Sequence, residues 1–321
     1  MKSKDKIKLQ SEAATLFKKL SGNISAFKKL PLIEKLTFVI AELTATIIAY
    51  VRPLFERAKT TKEFEDKVSG NLVGKCELVK GVNVEAANDA GQAITDVSSR
   101  FDMGQLKFFG SPSKAPQKAS IRGRVIAHYC GAITPLQKRL HPNVDQINIS
   151  TNMFSRYTQQ EKEQLFNYSK QPEMVAAFKR NAQVWLSRTP EKDEYSNELK
   201  AIVDARSDAP FTLNYTFEPD GDFEMTMGSM YHELGHRFHA WLGREEIDPD
   251  FLSEIERSYK AGWGFALSAY ATKNEREFFA EAFCAYMMGS FDKRYYAMLH
   301  PTILTYLRKY DKKDISQELA A

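Results

Sequence analysis

Cysteine is scarce in this chain. Cys76, Cys130 and Cys284 are the only three in 321 residues, and no two form a CxxC pair. An odd, sparse count speaks against a disulfide framework and favours a reducing compartment of synthesis. The opening stretch MKSKDKIKLQSEAATLFKKL lacks the apolar core of a signal peptide. The expectation is a cytoplasmic location at synthesis, with any export left to a route that needs no such peptide. Internal repeats and long low-complexity tracts are also missing. So is a basic stripe across the body of the chain. The formal net charge is only +4, and residues 1–35 hold nine Lys against three acidic residues, which is more than the whole excess. The near-neutral remainder argues against a nucleic-acid partner.

An uninterrupted apolar run is missing as well. Leu36–Phe55 has about the length of a membrane span, but Glu42 sits near its middle and Arg52 near its end. A buried or partner-facing helix is preferred there, with membrane contact through residues 32–55 as the rival. Helices are predicted at Ser11–Leu20, at Leu32–Val51 and after Pro53, with Pro31 and Pro53 as punctuation and Ser69-Gly70 as a break. Residues 1–68 therefore read as a helical accessory region, and 69–321 as the main domain.

What is present is a soluble composition, 43% hydrophobic and 27% charged, enough for a sizeable core. Within the main domain, Val84–Phe101 reads as a helix, Lys107–Gly110 as a short apolar segment, and SPSKAPQKAS as an exposed loop. Gln146–Ser150 alternates as a half-buried strand, and helices are expected at Gln159–Ser169 and Glu173–Leu186. Phe211–Phe217 and Phe223–Met227 both alternate and flank a turn-rich Glu218–Asp222. They predict a hairpin leading into the next helix.

That helix carries the chemistry. Ser229 is placed to cap Met230-Tyr231-His232-Glu233-Leu234-Gly235-His236, and Gly243 to end it. Successive helical residues are about 100° apart, which leaves His232 and His236 about 40° apart on one face. Both imidazoles can then reach one zinc ion at roughly 2.0–2.1 Å. Glu233 falls at the edge of that face, offset from the metal, where it can take a proton from water instead of ligating. Leu234, Phe238 and Trp241 form the opposite, apolar side.

A catalytic zinc takes three protein ligands and keeps one position open. A third histidine six residues beyond His236 is absent, since that position is Leu242. Asn274–Gly289 offers carboxylates instead. Glu277 and Glu281 share a helical face opposite Phe279, Phe283 and Tyr286. Glu277 is therefore the expected third ligand, and Glu281 the acceptor that fixes an imidazole tautomer. Glu275 has no such companion. A capping box from Asn274 to Glu277 competes with this reading, and one from Thr272 to Glu275 would leave Glu277 free. His239 is read as a partly buried histidine, Cys284 as a small buried residue, and His128 with Cys130 as too little for a second zinc site.

HELGH followed by Tyr270-Ala-Thr-Lys-Asn-Glu-Arg-Glu277-Phe-Phe-Ala-Glu281-Ala-Phe resembles the catalytic domain of anthrax lethal factor and the clostridial Pro-Pro endopeptidases. The likeness covers Ser229–Gly243 and Tyr270–Tyr286. It implies a gluzincin-type zinc metallopeptidase in which Glu277 is the third ligand and Tyr270 donates its phenol to the substrate oxyanion. The upstream order of LKFFG, loop, INISTNMF, helices and motif looks like peptidase domains of phages and mobile elements. The implied fold is α+β: a mostly helical zincin-like domain, a small antiparallel sheet or hairpin before the active-site helix, and the N-terminal helical region. Its active-site core spans about 211–289. The implied partner is a protein or peptide substrate, and the predicted strand Phe223–Met227 is placed to pair with it by strand addition. The rival is a zinc-binding structural or interaction protein without turnover.

Overall fold

A computed structural model of the chain describes residues 53–111, 113–116, 127–131, 139, 143–150, 158–215, 225–244 and 247–313. The helices expected at Ser11–Leu20 and Leu32–Val51 lie outside these residues. The compact unit that holds the candidate site begins at Pro53, so the boundary expected at 68/69 falls inside it. Helix α1 (Thr61–Val68) is capped by the Thr60 side chain and buries Phe64 and Val68. The segment before it is pinned to helix α2 (Val84–Arg100). There the Asn88 amide exchanges hydrogen bonds of 2.8 and 2.9 Å with the Ala58 backbone, and Arg57 pairs with Glu85 and Asp89.

Among the described residues, four short strands form one sheet: β1 (Val73–Glu77), β2 (Leu106–Gly110), β3 (Ala127–Gly131) and β4 (Asp145–Ile149), in the order β1-β2-β4-β3. The first three in that order run parallel, and α2 makes the crossover that parallel neighbours require. Only β3 is antiparallel, with Tyr129 opposite Ile147 on β4. The sheet is thus mixed, not the small antiparallel one expected. β4 is also buried along its whole length, not on one face alone. Within that interior Gln146 Nε2 donates to Asn148 Oδ1 at 3.2 Å.

The predicted hairpin is not formed by the described part of its span. Leu213–Tyr215 is a turn of 3-10 helix, and Met225–Met227 is already helical; residues 216–224 lie outside the description. The backbone of the first segment is used elsewhere. Pro210 and Phe211 carbonyls accept from the Ala269 and Tyr270 amides at 3.0 and 2.9 Å, and the Leu213 amide donates to Glu281. In the second segment Met225, Thr226 and Met227 are all buried, so alternating letters there carry no facial meaning. Short apolar stretches are ambiguous between strand and helix for this reason.

Helices α3 (Gln159–Ser169), α4 (Pro172–Arg188) and α5 (Ser196–Ala205) follow the sheet. Then come α6 (Met225–Arg244), α7 (Pro249–Lys260), α8 (Gly264–Leu267), α9 (Glu275–Met288) and α10 (Pro301–Tyr310). The molecule is mixed α/β and mostly helical, and no described helix is long and apolar enough to cross a membrane. Helix α9 is buried on all sides from Phe278 to Met288, which makes it the central helix of the core. Near its C-terminal end, Arg100 of α2 pairs with the fully buried Asp311, which also accepts from the Tyr286 phenol at 2.8 Å.

Helix α6 packs against α9 with almost no gap at Gly235. A Cβ added there would stand 2.9 Å from Phe283 Cβ and 3.0 Å from the Ala280 Cα. The glycine of HELGH is therefore what lets these two helices approach. Gly235→Ala is expected to force them apart, costing about 1–3 kcal/mol as overpacked interiors do. It should also weaken divalent-metal binding. Urea unfolding and zinc titration of the variant check both effects, and native behaviour in both would remove the close-contact explanation.

Candidate metal centre

Helix α6 begins by Met225, so Ser229 lies inside its second turn and is not its cap. The Ser229 hydroxyl instead accepts from Asn214 Nδ2 at 3.1 Å. Helix α6 also continues through Gly243 to Arg244. Its motif residues face α9 as the spacing required. The rings of His232 and His236 stand edge to face, 4.7 Å between centroids. Glu277 comes from the first turn of α9, and its Oε2 lies 3.1 Å from Nε2 of each histidine.

The competition between capping and ligand roles resolves in favour of both residues. Asn274 caps α9, its side chain accepting from the amides of Arg276 and Glu277. The Glu277 carboxylate does not reach back to it and points at the imidazoles. The alternative cap at Thr272 is not made, because that hydroxyl donates to the Ala269 carbonyl at 2.8 Å.

His232, His236 and Glu277 could hold a metal ion, since one ligand atom from each lies within 4.8 Å of the others. The chemistry of the set suits a borderline cation that accepts nitrogen and oxygen together. Tetrahedral ligands at roughly 2.05 Å from zinc stand about 3.3 Å from one another. Each imidazole nitrogen is 3.1 Å from the carboxylate oxygen here, close to that spacing.

Glu281 is buried behind His232. One oxygen lies 2.8 Å from His232 Nδ1. The other accepts from the Ser268 hydroxyl at 2.7 Å and the Leu213 amide at 3.1 Å. A carboxylate flanked by these donors is an acceptor, so Nδ1 carries hydrogen and Nε2 is turned to the centre. Glu233 is buried beside the pair, and its Oε2 accepts from the Tyr129 amide of β3 at 2.6 Å. Tyr270 edges onto His232 with centroids 5.6 Å apart, and its hydroxyl is 3.5 Å from Glu277 Oε1. Burial and the carboxylates of Glu277, Glu233 and Glu281 push the Tyr270 phenol well above its usual range. It stays a neutral O–H donor at physiological pH. Lys273 sits over its ring at 3.7 Å, and Phe211, half exposed, meets it edge-on at 5.6 Å.

The remaining candidates fall outside the centre. His239 continues the histidine stripe into a cleft of ≈ 330 Å³ that it shares with Glu256, Glu275 and Arg276. Burial, with the nearby charges of His236 and Arg276, lowers its pKa to about 4, so it is a neutral ring near Glu275. Cys284 is buried, donating to the Gly228 carbonyl. Among the described residues, His128 and Cys130 belong to no metal-holding group. Sequence reasoning missed Tyr129, Ser268 and the Leu213 amide. The latter two carry no motif signal, because a backbone donor and a lone serine are placed only by the tertiary fold.

Burial opposes a charge on His232, but hydrogen bonds to Glu277 and Glu281 outweigh it and raise its pKa from 6.5 to about 10. A raised histidine stabilises fully below its unfolded value and loses that contribution as pH climbs through the folded one. In chelator, the urea midpoint is therefore expected to fall between about pH 6.5 and 10. Glu277→Gln should flatten this slope, and so should a bound divalent cation, which displaces the proton. An equally steep slope in Glu277→Gln would show that the ion pair is not its source. Comparison of the chain with known protein families, with curated proteins and with solved structures gave no match.

Proposed function

We propose that this chain is a zinc-dependent endopeptidase of the gluzincin type with a zincin-like catalytic domain. The observation that carries the reading is the single Glu277 oxygen held 3.1 Å from both imidazole nitrogens, with a separate carboxylate, Glu233, beside it and outside the ligand set. A structural metal would have no use for that extra carboxylate.

In this reading His232, His236 and Glu277 would hold the ion, and the chemistry it would supply is that of a Lewis acid able to bring the pKa of water to about 7. Glu281 accepts from His232 Nδ1 and fixes the tautomer that offers Nε2. Glu233 takes the proton of the attacking water and then delivers it to the departing amine nitrogen. Its Oε2 is committed to the Tyr129 amide, which leaves Oε1 for this exchange. Tyr270 donates its O–H to the oxygen of the scissile carbonyl as negative charge builds there. Because Met225–Met227 is helical, the strand-addition role drawn from Phe223–Met227 is withdrawn. Strand β3, at the edge of the sheet among the described residues and bonded to Glu233, is the better guide for an extended peptide.

Glu233→Gln is expected to lower kcat by about 10²–10⁴-fold, the usual contribution of a general base, with metal content near that of the parent. Full cleavage by this variant, or cleavage by the parent that survives a zinc chelator, would refute the assignment. A parent that binds zinc and cleaves nothing in a broad peptide library would favour the structural, non-catalytic rival. Tyr270→Phe should reduce kcat by about 10–10³-fold, as loss of one oxyanion donor does, with little change in zinc affinity. An unaltered kcat would place that phenol outside the reaction.

A further inference from the structure

The Tyr129 amide that holds Glu233 is itself held. The Tyr129 phenol donates to Asp145 Oδ1 at 3.1 Å. Asp145, the first residue of β4, accepts from Arg237 Nε at 3.0 Å and Nη2 at 2.8 Å. Arg237 lies on α6, four residues after Glu233, so one helical turn closes the loop. The path runs from the Glu233 carboxylate to the β3 backbone, through the tyrosine ring to β4, and back to the same helix. Arg237 Nη2 is tied further to the Met103 and Gly104 carbonyls at 3.2 and 3.1 Å. Tyr129, Asp145, Arg237 and Glu233 are all buried, between 4% and 7% exposed.

A buried ion pair is weak evidence for stability, because well-packed apolar side chains often serve as well. Its strength is geometric. The fork of Arg237 against two carboxylate oxygens fixes distance and angle together, and the tyrosine passes that constraint to a single backbone amide. Without it, the short strand β3 would be free to shift along or away from α6, and the Glu233 carboxylate would lose the fixed reference that the Tyr129 amide gives it. Displacement of a reacting group by about 1 Å can cost as much as 100-fold in rate.

We propose that Tyr129, Asp145 and Arg237 form a positioning circuit that holds the Glu233 carboxylate in its working orientation. The inference rests on the peptidase reading for its catalytic meaning, but the positional part stands independently of turnover. None of the three belongs to the His232, His236 and Glu277 group; their side chains act on the site through Glu233.

The test reads position and rate separately. In Tyr129→Phe and Asp145→Asn, hydrogen exchange at the residue 129 amide should quicken about tenfold, the loss of one hydrogen bond's support. The Ile147 amide of β4 should remain as protected as in the parent, which confirms a folded sheet. Zinc stoichiometry should be unchanged. Against a cleavable peptide, kcat should fall about tenfold at constant KM. Arg237→Lys should retain more of kcat than Arg237→Gln. Unchanged exchange at residue 129 in Tyr129→Phe overturns the circuit, and so does faster exchange with no loss of kcat. If the parent protein cleaves no peptide, the peptidase reading fails, and the exchange arm alone decides whether the circuit positions Glu233.

Discussion

The close packing of α6 on α9 at Gly235 is the constraint on which the rest of the site depends. Two histidines one turn apart can point in a common direction on any helix, but a third donor must come from elsewhere in the chain. Packed helices usually keep their axes 8–10 Å apart, a spacing set by the side chains between them. At Gly235 there is no side chain, and the neighbouring Ala280 is small, so backbone meets backbone. Glu277, one turn before Ala280 on α9, is carried to the imidazoles by that approach. Phe283 and Phe238, both buried in the same seam, prevent the helices from sliding once they have met.

Around this seam the electrostatics are strongly one-sided. Three carboxylates, Glu233, Glu277 and Glu281, surround two imidazoles, and each carboxylate has a defined set of donors. Glu281 is the most fully committed, with a hydroxyl, an amide and an imidazole. Glu277 is the least enclosed, bonded chiefly to the two rings. Such a cluster needs positive charge at its centre. In the metal-free protein a proton on His232 serves, which explains why that ring holds its proton so tightly. A divalent cation would satisfy the same need with better geometry. The preference for a cation is therefore built into the protein before any ion arrives.

Much of the site was legible in the sequence because helical spacing is a strong rule. The i, i+4 pairs His232/His236 and Glu277/Glu281 each meet on one face, and the helices at 84–100 and 159–169 appear within a residue of their predicted limits. The hairpin failed where that rule is weak. Leu213 follows no strand because its amide is claimed by Glu281, 68 residues away, and no local pattern encodes so distant a partner. The same holds for Tyr129, whose role depends on a strand being laid against α6. Arg237 gave a faint signal: a charged residue on the apolar face that carries Leu234 and Phe238 requires a buried counter-charge, and Asp145 supplies it.

One pairing outside the candidate metal centre bears on how the molecule is made. Arg100 of α2 is neutralised by Asp311, 211 positions later, and the same aspartate accepts from Tyr286 on the core helix α9. A buried guanidinium without its partner is strongly destabilising. A nascent chain therefore lacks the carboxylate that neutralises Arg100 until Asp311 has emerged from the ribosome. It follows that helix α9, which carries Glu277, gains its last electrostatic support only after Asp311 has been made.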